Sequence, residues 1–470
     1  MSGKQATLEH TSTDVLVIGG GNAALTAAIT ARELGRKVLV LESSPIEVRG
    51  GNSRHTRNIR YIHDAANSFL TGPYLEEECY NDLLTVTKGN TTENMARLVI
   101  RGSRNVGDWM TARGCRFQPA MRGTLHLSRT NAFFRGGGKA LINAYHETCR
   151  RLGVQVMYDT EALDLEVTNG TCTAVRARGP KGEYLIRLRS VVLACGGYQG
   201  NKAWLRDAWG PTADNFLIRG TPYDKGVMLK AMMEKGAKTI GDPTQGHCVA
   251  IDGRAPKFDG GICTRLDCVP FGIVVNRNGQ RFYNEGEEFW PKRYAIWGRL
   301  VAGQPDQIGY VFIDAKSINL FMPSVFPPLE SDTIGGLAEQ MGLESGPVEE
   351  TVRAFNASTK PGGFHPGELD GLATEGLDPP KTNWARPLDT PPYYGYTLRP
   401  GITFTYLSLV INEQARVVRQ DDTPFNNIFA AGEITSGNVL GQGYMAGFGM
   451  TIGTVFGRLA GKEAATCLMN

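Results

Sequence analysis

The 470-residue sequence predicts an α/β fold, a parallel-sheet domain split by an inserted α+β unit. Three observations lead there. A strand, a glycine turn, a helix and a second strand follow one another between Asp14 and Glu42. A strand, a glycine-rich loop and a helix return at the carboxyl end. Between them, residues 245–386 are irregular, with Pro and Gly clusters at 323–328 and 361–367. That composition shift marks an insertion into the first domain rather than an appendage to it.

Asp14-Val-Leu-Val-Ile-Gly19 is a short apolar run of the kind buried in a parallel sheet. An Ala-rich helix runs from the glycines to about Leu34 and stops at Gly35, and Lys37–Glu42 is the second buried strand. Residues 45–71 form a Gly-, Asn- and Arg-rich loop, Glu93–Gly114 has helical spacing, and Lys139–Leu152 is an amphipathic helix. Val154–Tyr158, Glu161–Thr168, Thr173–Arg178 and Tyr184–Ser190 alternate as strands, turning at Asn169-Gly170 and Pro180–Gly182. Val191–Gly197 is another buried strand, ending on a glycine pair. Ile428–Glu433 and a closing helix to Cys467 complete the first domain. The expected division is therefore 1–244, 245–386 and 387–470.

Composition narrows the class. With 41% hydrophobic and 21% charged residues the chain reads as a soluble globular enzyme. A net charge of +3 with no basic tract offers no nucleic-acid surface. Nine cysteines without a C-x-x-C pair give neither zinc nor iron–sulfur spacing, so no metal site is expected. The first thirteen residues are polar and lack the apolar core of a secretory signal, and no apolar run reaches membrane-spanning length. A cytoplasmic protein with reduced thiols is expected.

Gly19-x-Gly21-x-x-Ala24 sits between strand and helix, the context a dinucleotide fingerprint requires. The first glycine allows the tight turn, the second admits a pyrophosphate to the backbone, and Ala24 lets helix and sheet pack closely. Free N–H groups at the helix start, through Asn22 and Ala23, complement the phosphates. Glu42, with Ser43 after it, closes the second strand where a carboxylate can accept from ribose hydroxyls.

Three further segments resemble those of flavoproteins. Asn427–Glu433 is similar to the late flavin-binding segment in which the acid meets the ribityl chain, and Val191–Gly197 is similar to the middle one, with Cys195 in place of threonine. Together with Arg49-Gly-Gly-Asn52 and Asn276-Arg-Asn-Gly-Gln-Arg-Phe-Tyr-Asn-Glu285, they resemble the fumarate reductase/succinate dehydrogenase flavoprotein superfamily from Asp14 to Ala464. The resemblance implies a Rossmann-like FAD-binding domain with an inserted capping domain, a mobile cap, and oxidation or reduction of a carbon–carbon single bond. It carries the cofactor role onto Gly19, Gly21, Asn22, Ala23, Ala24, Glu42, Ser43, Gly50, Gly51, Asn52, Ser53, Ala162, Cys195, Gly196, Gly197, Gly432, Glu433, Asn438 and Val439. A glycine-rich run over 437–453 is placed against the isoalloxazine. His55-Thr56 is similar to a flavin-attachment site, but its offset from the Gly-Gly-Asn segment favours noncovalent FAD.

Departures from the superfamily fall in the active site. The position of its proton-donating arginine is Phe289, its histidine pair falls on Thr403 and Phe404, and a loop arginine falls on Tyr444. Gly50–Asn58, Arg129–Lys139, Glu285–Trp297 and Gly437–Tyr444 resemble the tricarballylate dehydrogenase subfamily instead. That resemblance implies oxidation of propane-1,2,3-tricarboxylate to cis-aconitate and transfer of electrons to a membrane-bound iron–sulfur/haem partner, leaving the enzyme peripheral to the inner membrane. A cobalamin-biosynthetic flavoprotein shares the pattern, so a desaturase of another acid or of a cyclic ketone, and a non-catalytic flavin carrier, remain open.

A tricarboxylate needs cations to replace its water, and arginine meets a carboxylate with two parallel hydrogen bonds. Arg54, Arg57, Arg129, Arg135, Thr264, Arg265, Lys292, Tyr394 and Thr403 are the substrate candidates. A base must also take a proton from the carbon beside the one that is oxidised. Arg293, Tyr444, Tyr394 and His55 are the candidates, with Tyr444 in front because a tyrosine does this in related steroid dehydrogenases.

Overall fold

A computed structural model describes residues 9–120 and 127–467, so most of the polar amino-terminal stretch lies outside the described residues. Six strands form the first sheet, in the order 416–418, 424–430, 190–193, 15–18, 38–41 and 155–157. All neighbours are parallel except the edge pair of Arg416–Val418 and Pro424–Ala430. Val15–Ile18 and Val38–Leu41 are buried at every position, as an apolar run covered on both faces must be. A four-stranded sheet of residues 9–12, 182–187, 171–179 and 161–168 flanks it.

The helix Asn22–Glu33 lies against the closing helix Phe448–Thr466. Glycines four apart on the closing helix make that approach possible. A Cβ at Gly457 would fall 2.1 Å from Thr26 Oγ1, and one at Gly461 would fall 2.3 Å from the Ala27 carbonyl. The expected Glu93–Gly114 helix is broken into Glu93–Gly102 and Val106–Ala112. Ser103 makes the break, donating to the Ile100 carbonyl at 2.7 Å and accepting from Ile62 N–H at 3.2 Å. Part of the 45–71 loop is also ordered, since Asn58–Arg60 pairs with Asn131–Phe133.

A second sheet is built on the thirteen-residue strand Tyr393–Thr405. Gly246–Asp252, Gly309–Asp314 and Leu329–Ser331 pair with it antiparallel and Leu217–Ile218 pairs parallel. Ile273, Phe312, Leu337, Val348, Phe355 and Leu388 give this unit a hydrophobic cluster of its own. The expected boundaries at 244/245 and 386/387 thus cut through one sheet, which draws on residues before and after them. Pro400-Gly401 interrupts the sequence of the strand Tyr393–Thr405, which the sequence pattern left unassigned. The strand tolerates Gly401 because Ile251 covers it, a Cβ there falling 2.7 Å from the Ile251 side chain. Among the described residues no helix is long and apolar enough to cross a membrane.

Candidate cofactor and substrate site

One long cavity, with about 1530 Å³ of empty space including its mouth, runs from the first glycine turn to the second sheet. Carboxyl groups line one end and arginines the other.

At the glycine end the chain leaves no room for side chains. Gly19 has φ +114°, and a Cβ there would fall 2.2 Å from the Ala194 carbonyl; one at Gly20 would fall 2.1 Å from Glu42 Oε2. Gly21 caps the helix without using a side chain, leaving its first N–H groups to a ligand. One of them is already spoken for, as Asn22 N–H donates to Ser53 Oγ at 3.0 Å. The acids follow. Burial holds the Glu42 carboxyl above its usual range, although Ser44 N–H donates to it at 2.9 Å. Burial likewise pushes Glu433 up to about 8, with its Oε1 taking Thr405 N–H at 2.9 Å. Asp224 is raised as well, by burial and then by the neighbouring Glu433, and Gln199 donates to it at 2.7 Å. Asn52 staples this end together, donating to the Thr403 carbonyl at 2.6 Å and accepting from Thr221 N–H at 2.9 Å.

At the far end the walls are cationic and aromatic. Arg57, Arg219 and Arg265 line the cavity, and Arg219 and Arg265 are only 5% exposed. Arg265 Nη2 reaches Asp267 Oδ2 at 2.5 Å and its guanidinium lies 4.6 Å from the Tyr294 ring centre. Arg219 Nε donates to the Gly261 carbonyl at 3.0 Å. Burial and the charge of Arg265 lower Arg57 and Arg219 to about 10, which leaves both protonated at neutral pH. His247 is fully enclosed, and burial, Arg219 and Arg265 together keep its imidazole neutral. It stacks on Tyr444 with ring centres 4.0 Å apart. His55 faces the cavity and holds Asp259 Oδ1 at 2.6 Å through Nε2.

Five buried polar atoms of cavity-lining residues have no partner: Ser44 Oγ, Thr403 Oγ1, His247 Nε2, Arg219 Nη1 and Arg265 Nε. Buried polar groups are almost always satisfied, so such a cluster marks where ligands complete the hydrogen bonding. The glycine turn, the open helix start, the acids and the orphan atoms fit a dinucleotide at one end and an anion at the other.

A family model described as an FAD binding domain matches residues 14–449. The chain belongs to the FAD-binding domain family. FAD is its cofactor, and this family member is an FAD-dependent oxidoreductase. It is 25% identical to the fumarate reductase (cytochrome) of Shewanella frigidimarina over 98% of this chain and 78% of that one. It is 27% identical to the 3-oxosteroid 1-dehydrogenase of Mycobacterium tuberculosis over 73% of this chain and 65% of that one. Its fold superposes on an open flavocytochrome c3 fumarate reductase with a TM-score of 0.75 at 21% identity, covering 98% of this chain and 79% of the other. The fold is thus an FAD-binding domain carrying a capping domain.

The cavity gathers most of the residues expected at the cofactor. Gly19, Gly21, Asn22, Ala23, Glu42, Ser43, Gly51, Asn52, Ser53, Ala162, Cys195, Gly196, Gly432 and Glu433 line it. Ala24, Gly50, Gly197, Asn438 and Val439 do not. Ala24 is packed in the core and Gly50 faces Ile142. Gly197 faces Thr405 and Glu433, Asn438 binds the Leu409 and Thr435 carbonyls, and Val439 is core. Gly447, Gly449 and Gly453 from the late glycine run line the cavity, whereas Gly437 is pressed on the Tyr406 carbonyl.

Of the substrate and proton candidates, the cavity takes Arg57, Arg265, Thr403, Tyr444 and His55. Arg293 is drawn away by an ion pair with Glu287 and a 2.7 Å bond to Tyr283. Arg129 and Lys292 line a second cavity, paired with Glu78 and Asp82, and Phe289 lines it too. Arg135 is exposed, Thr264 bonds the Gly261 carbonyl, and Tyr394 sits in strand pairing with Ile313 and Glu330. Arg54 stays outside the lining although its Nη1 is buried without a partner. Arg219, His247, Asp224 and Tyr294 were not anticipated. No motif surrounds Arg219, Asp224 or His247, Tyr294 lies within the Glu285–Trp297 segment without having been singled out, and only the fold brings positions 219, 247 and 294 together.

Proposed function

We propose that this enzyme oxidises a CH–CH bond of a small tricarboxylate, tricarballylate to cis-aconitate, and passes the electrons to an external acceptor. One observation carries the reading. Three arginines, Arg57, Arg219 and Arg265, line the far wall around a single buried acid, Asp267. Burying an uncompensated charge costs several kcal/mol, so a wall of this kind is stable and useful when a multiply charged anion completes it. A neutral cyclic ketone would leave Arg219 Nη1 and Arg265 Nε without acceptors.

FAD supplies the two-electron acceptor when bound, held at Gly19–Asn22, Glu42, Asn52 and Glu433, and we take its attachment to be noncovalent. The arginines hold the carboxylates and fix which carbon faces the cofactor. Thr403 and His247 offer their orphan polar atoms to the same carboxylates. Tyr444 orients rather than accepts a proton: burial raises its phenol further and its oxygen already takes Gly449 N–H at 3.0 Å. Reoxidation through a membrane-bound iron–sulfur/haem partner would place the enzyme in the cytoplasm beside the inner membrane.

Anaerobic mixing with tricarballylate, citrate, succinate and a neutral cyclic ketone tests this. Bleaching of the flavin by tricarballylate and not by succinate is the expected result. Bleaching by the ketone alone, or by none of them, overturns it. Acid precipitation of the protein should leave all flavin in the supernatant; flavin in the pellet would show a covalent link.

A further inference from the structure

We propose that His55 and Asp259 form a proton-transfer pair that takes the proton released by substrate oxidation out of the cavity. The inference rests on the oxidation proposed above. It names a residue, Asp259, that no motif marks.

His55 stands on the cavity wall and its side chain is 14% exposed, while that of Asp259 is 37% exposed. The pair therefore spans from the enclosed cavity towards solvent. Nε2 meets Asp259 Oδ1 at 2.6 Å, so in the neutral imidazole Nε2 carries the proton and Nδ1 holds the free lone pair. Gly261 keeps Nδ1 uncovered: a Cβ at that position would fall 3.0 Å from it, and the glycine has φ +62°. Asp259 itself has φ +58°, and its N–H is tied to the Gly220 carbonyl at 2.8 Å. The carboxylate thus reaches His55 from a backbone that is itself tied down by a hydrogen bond.

The charged groups facing His55 are Asp259, Arg54 and Arg219. Burial lowers the imidazole, Asp259 opposes that, and Arg54 and Arg219 add to the lowering. The result is a neutral base at neutral pH that does not retain its proton. In the step, the substrate C–H bond breaks and its proton goes to Nδ1. The neighbouring carbon gives up its hydrogen with two electrons to FAD, and the carbon–carbon double bond forms. Nε2–H then passes to Asp259 and on to water, which leaves the Nδ1–H tautomer; once product has left, Nδ1 gives its proton to water while Nε2 regains one through Asp259, and the starting tautomer is restored.

The test uses the FAD-loaded enzyme, with His55→Gln and Asp259→Asn compared with wild type. Flavin reduction by tricarballylate at pH 7 should slow by about 10²–10⁴-fold in His55→Gln, the span of general acid–base catalysis. Wild-type rates should fall on the acid side as the imidazole protonates, and Asp259→Asn should shift that limb to lower pH. A readout independent of turnover is the ¹³C-histidine NMR titration of resting enzyme, assigned by the resonance missing in His55→Gln. Asp259→Asn should lower the midpoint of that resonance. An unmoved midpoint in Asp259→Asn, or wild-type reduction rates in His55→Gln, overturns the pair even where tricarballylate bleaches the flavin. Failure of tricarballylate to bleach wild-type flavin instead strikes the substrate reading, and the relay falls with it.

Discussion

His247 and Tyr444 lie face to face, ring centres 4.0 Å apart and planes 8° from parallel. The stack holds the Tyr444 oxygen over the start of the closing helix, where Gly449 N–H is one of the donors that the helix cannot satisfy itself. Tyr444 is therefore a helix cap delivered from an aromatic ring.

Tyr444→Phe should keep the stack and lose the cap. We expect a stability loss of about 1 kcal/mol by denaturant melting, the usual worth of such a cap. Flavin reduction should remain within tenfold of wild type. A loss of several orders of magnitude would make Tyr444 the proton acceptor.

Arg219→Ala removes one of three cations from the far wall. We expect the KM for tricarballylate to rise about 30-fold or more, the equivalent of ~2 kcal/mol for a lost buried charge contact. Bound FAD should be unchanged, as read from the flavin-to-protein absorbance ratio.

The closing helix should be intolerant of added volume. At Gly457 a Cβ would fall 2.1 Å from Thr26 Oγ1 and 2.5 Å from the Ala23 carbonyl, so Gly457→Ala should cost about 1–3 kcal/mol or more. In the helix Ser345–Ser358, Gly346 has nothing within 4 Å of the same position. Gly346→Ala should stabilise by about 0.5–1 kcal/mol through helix propensity. Parallel thermal melts compare the two.

Lys381 is 1% exposed and donates to the Gly272 carbonyl at 2.6 Å. Burial, with Arg281 and Arg386 nearby, lowers it from 10.5 to about 7. Between those values the unfolded chain binds a proton that the folded chain does not, so this group makes the fold more stable as pH rises from 7 to 10.5. Lys381→Met should remove that contribution. The mutant-minus-wild-type difference in Tm should be more favourable at pH 7 than at pH 10, and a pH-independent difference would refute the assignment.

The cofactor half of the site was legible in the sequence because backbone geometry dictates it. Gly19 needs φ +114° against a carbonyl, and no other residue type serves, so the motif survives in the letters. The cap was harder to read. Tyr393–Thr405 carries one proline and two glycines that mask its pattern, and what makes it a strand is the packing of Ile251 and its four partner strands. Charge alone could not sort the arginines either. Arg265 and Arg293 both sit in the insert beside acids, yet Arg293 is spent on Glu287 while Arg265 keeps one nitrogen free. Arg219 and His247 lie 28 positions apart in the chain and become neighbours only through the register of the second sheet.

The longest strand also joins the two halves mechanically. Its first residues pair with Leu329–Ser331 at the outer edge of the cap, and its last, Thr405, gives its N–H to Glu433. Thirteen extended residues span roughly 43 Å, so a single strand bridges the Leu329–Ser331 edge and the Glu433 carboxyl. The backbone of one strand thus sets how far Leu329–Ser331 stands from the Glu433 carboxyl.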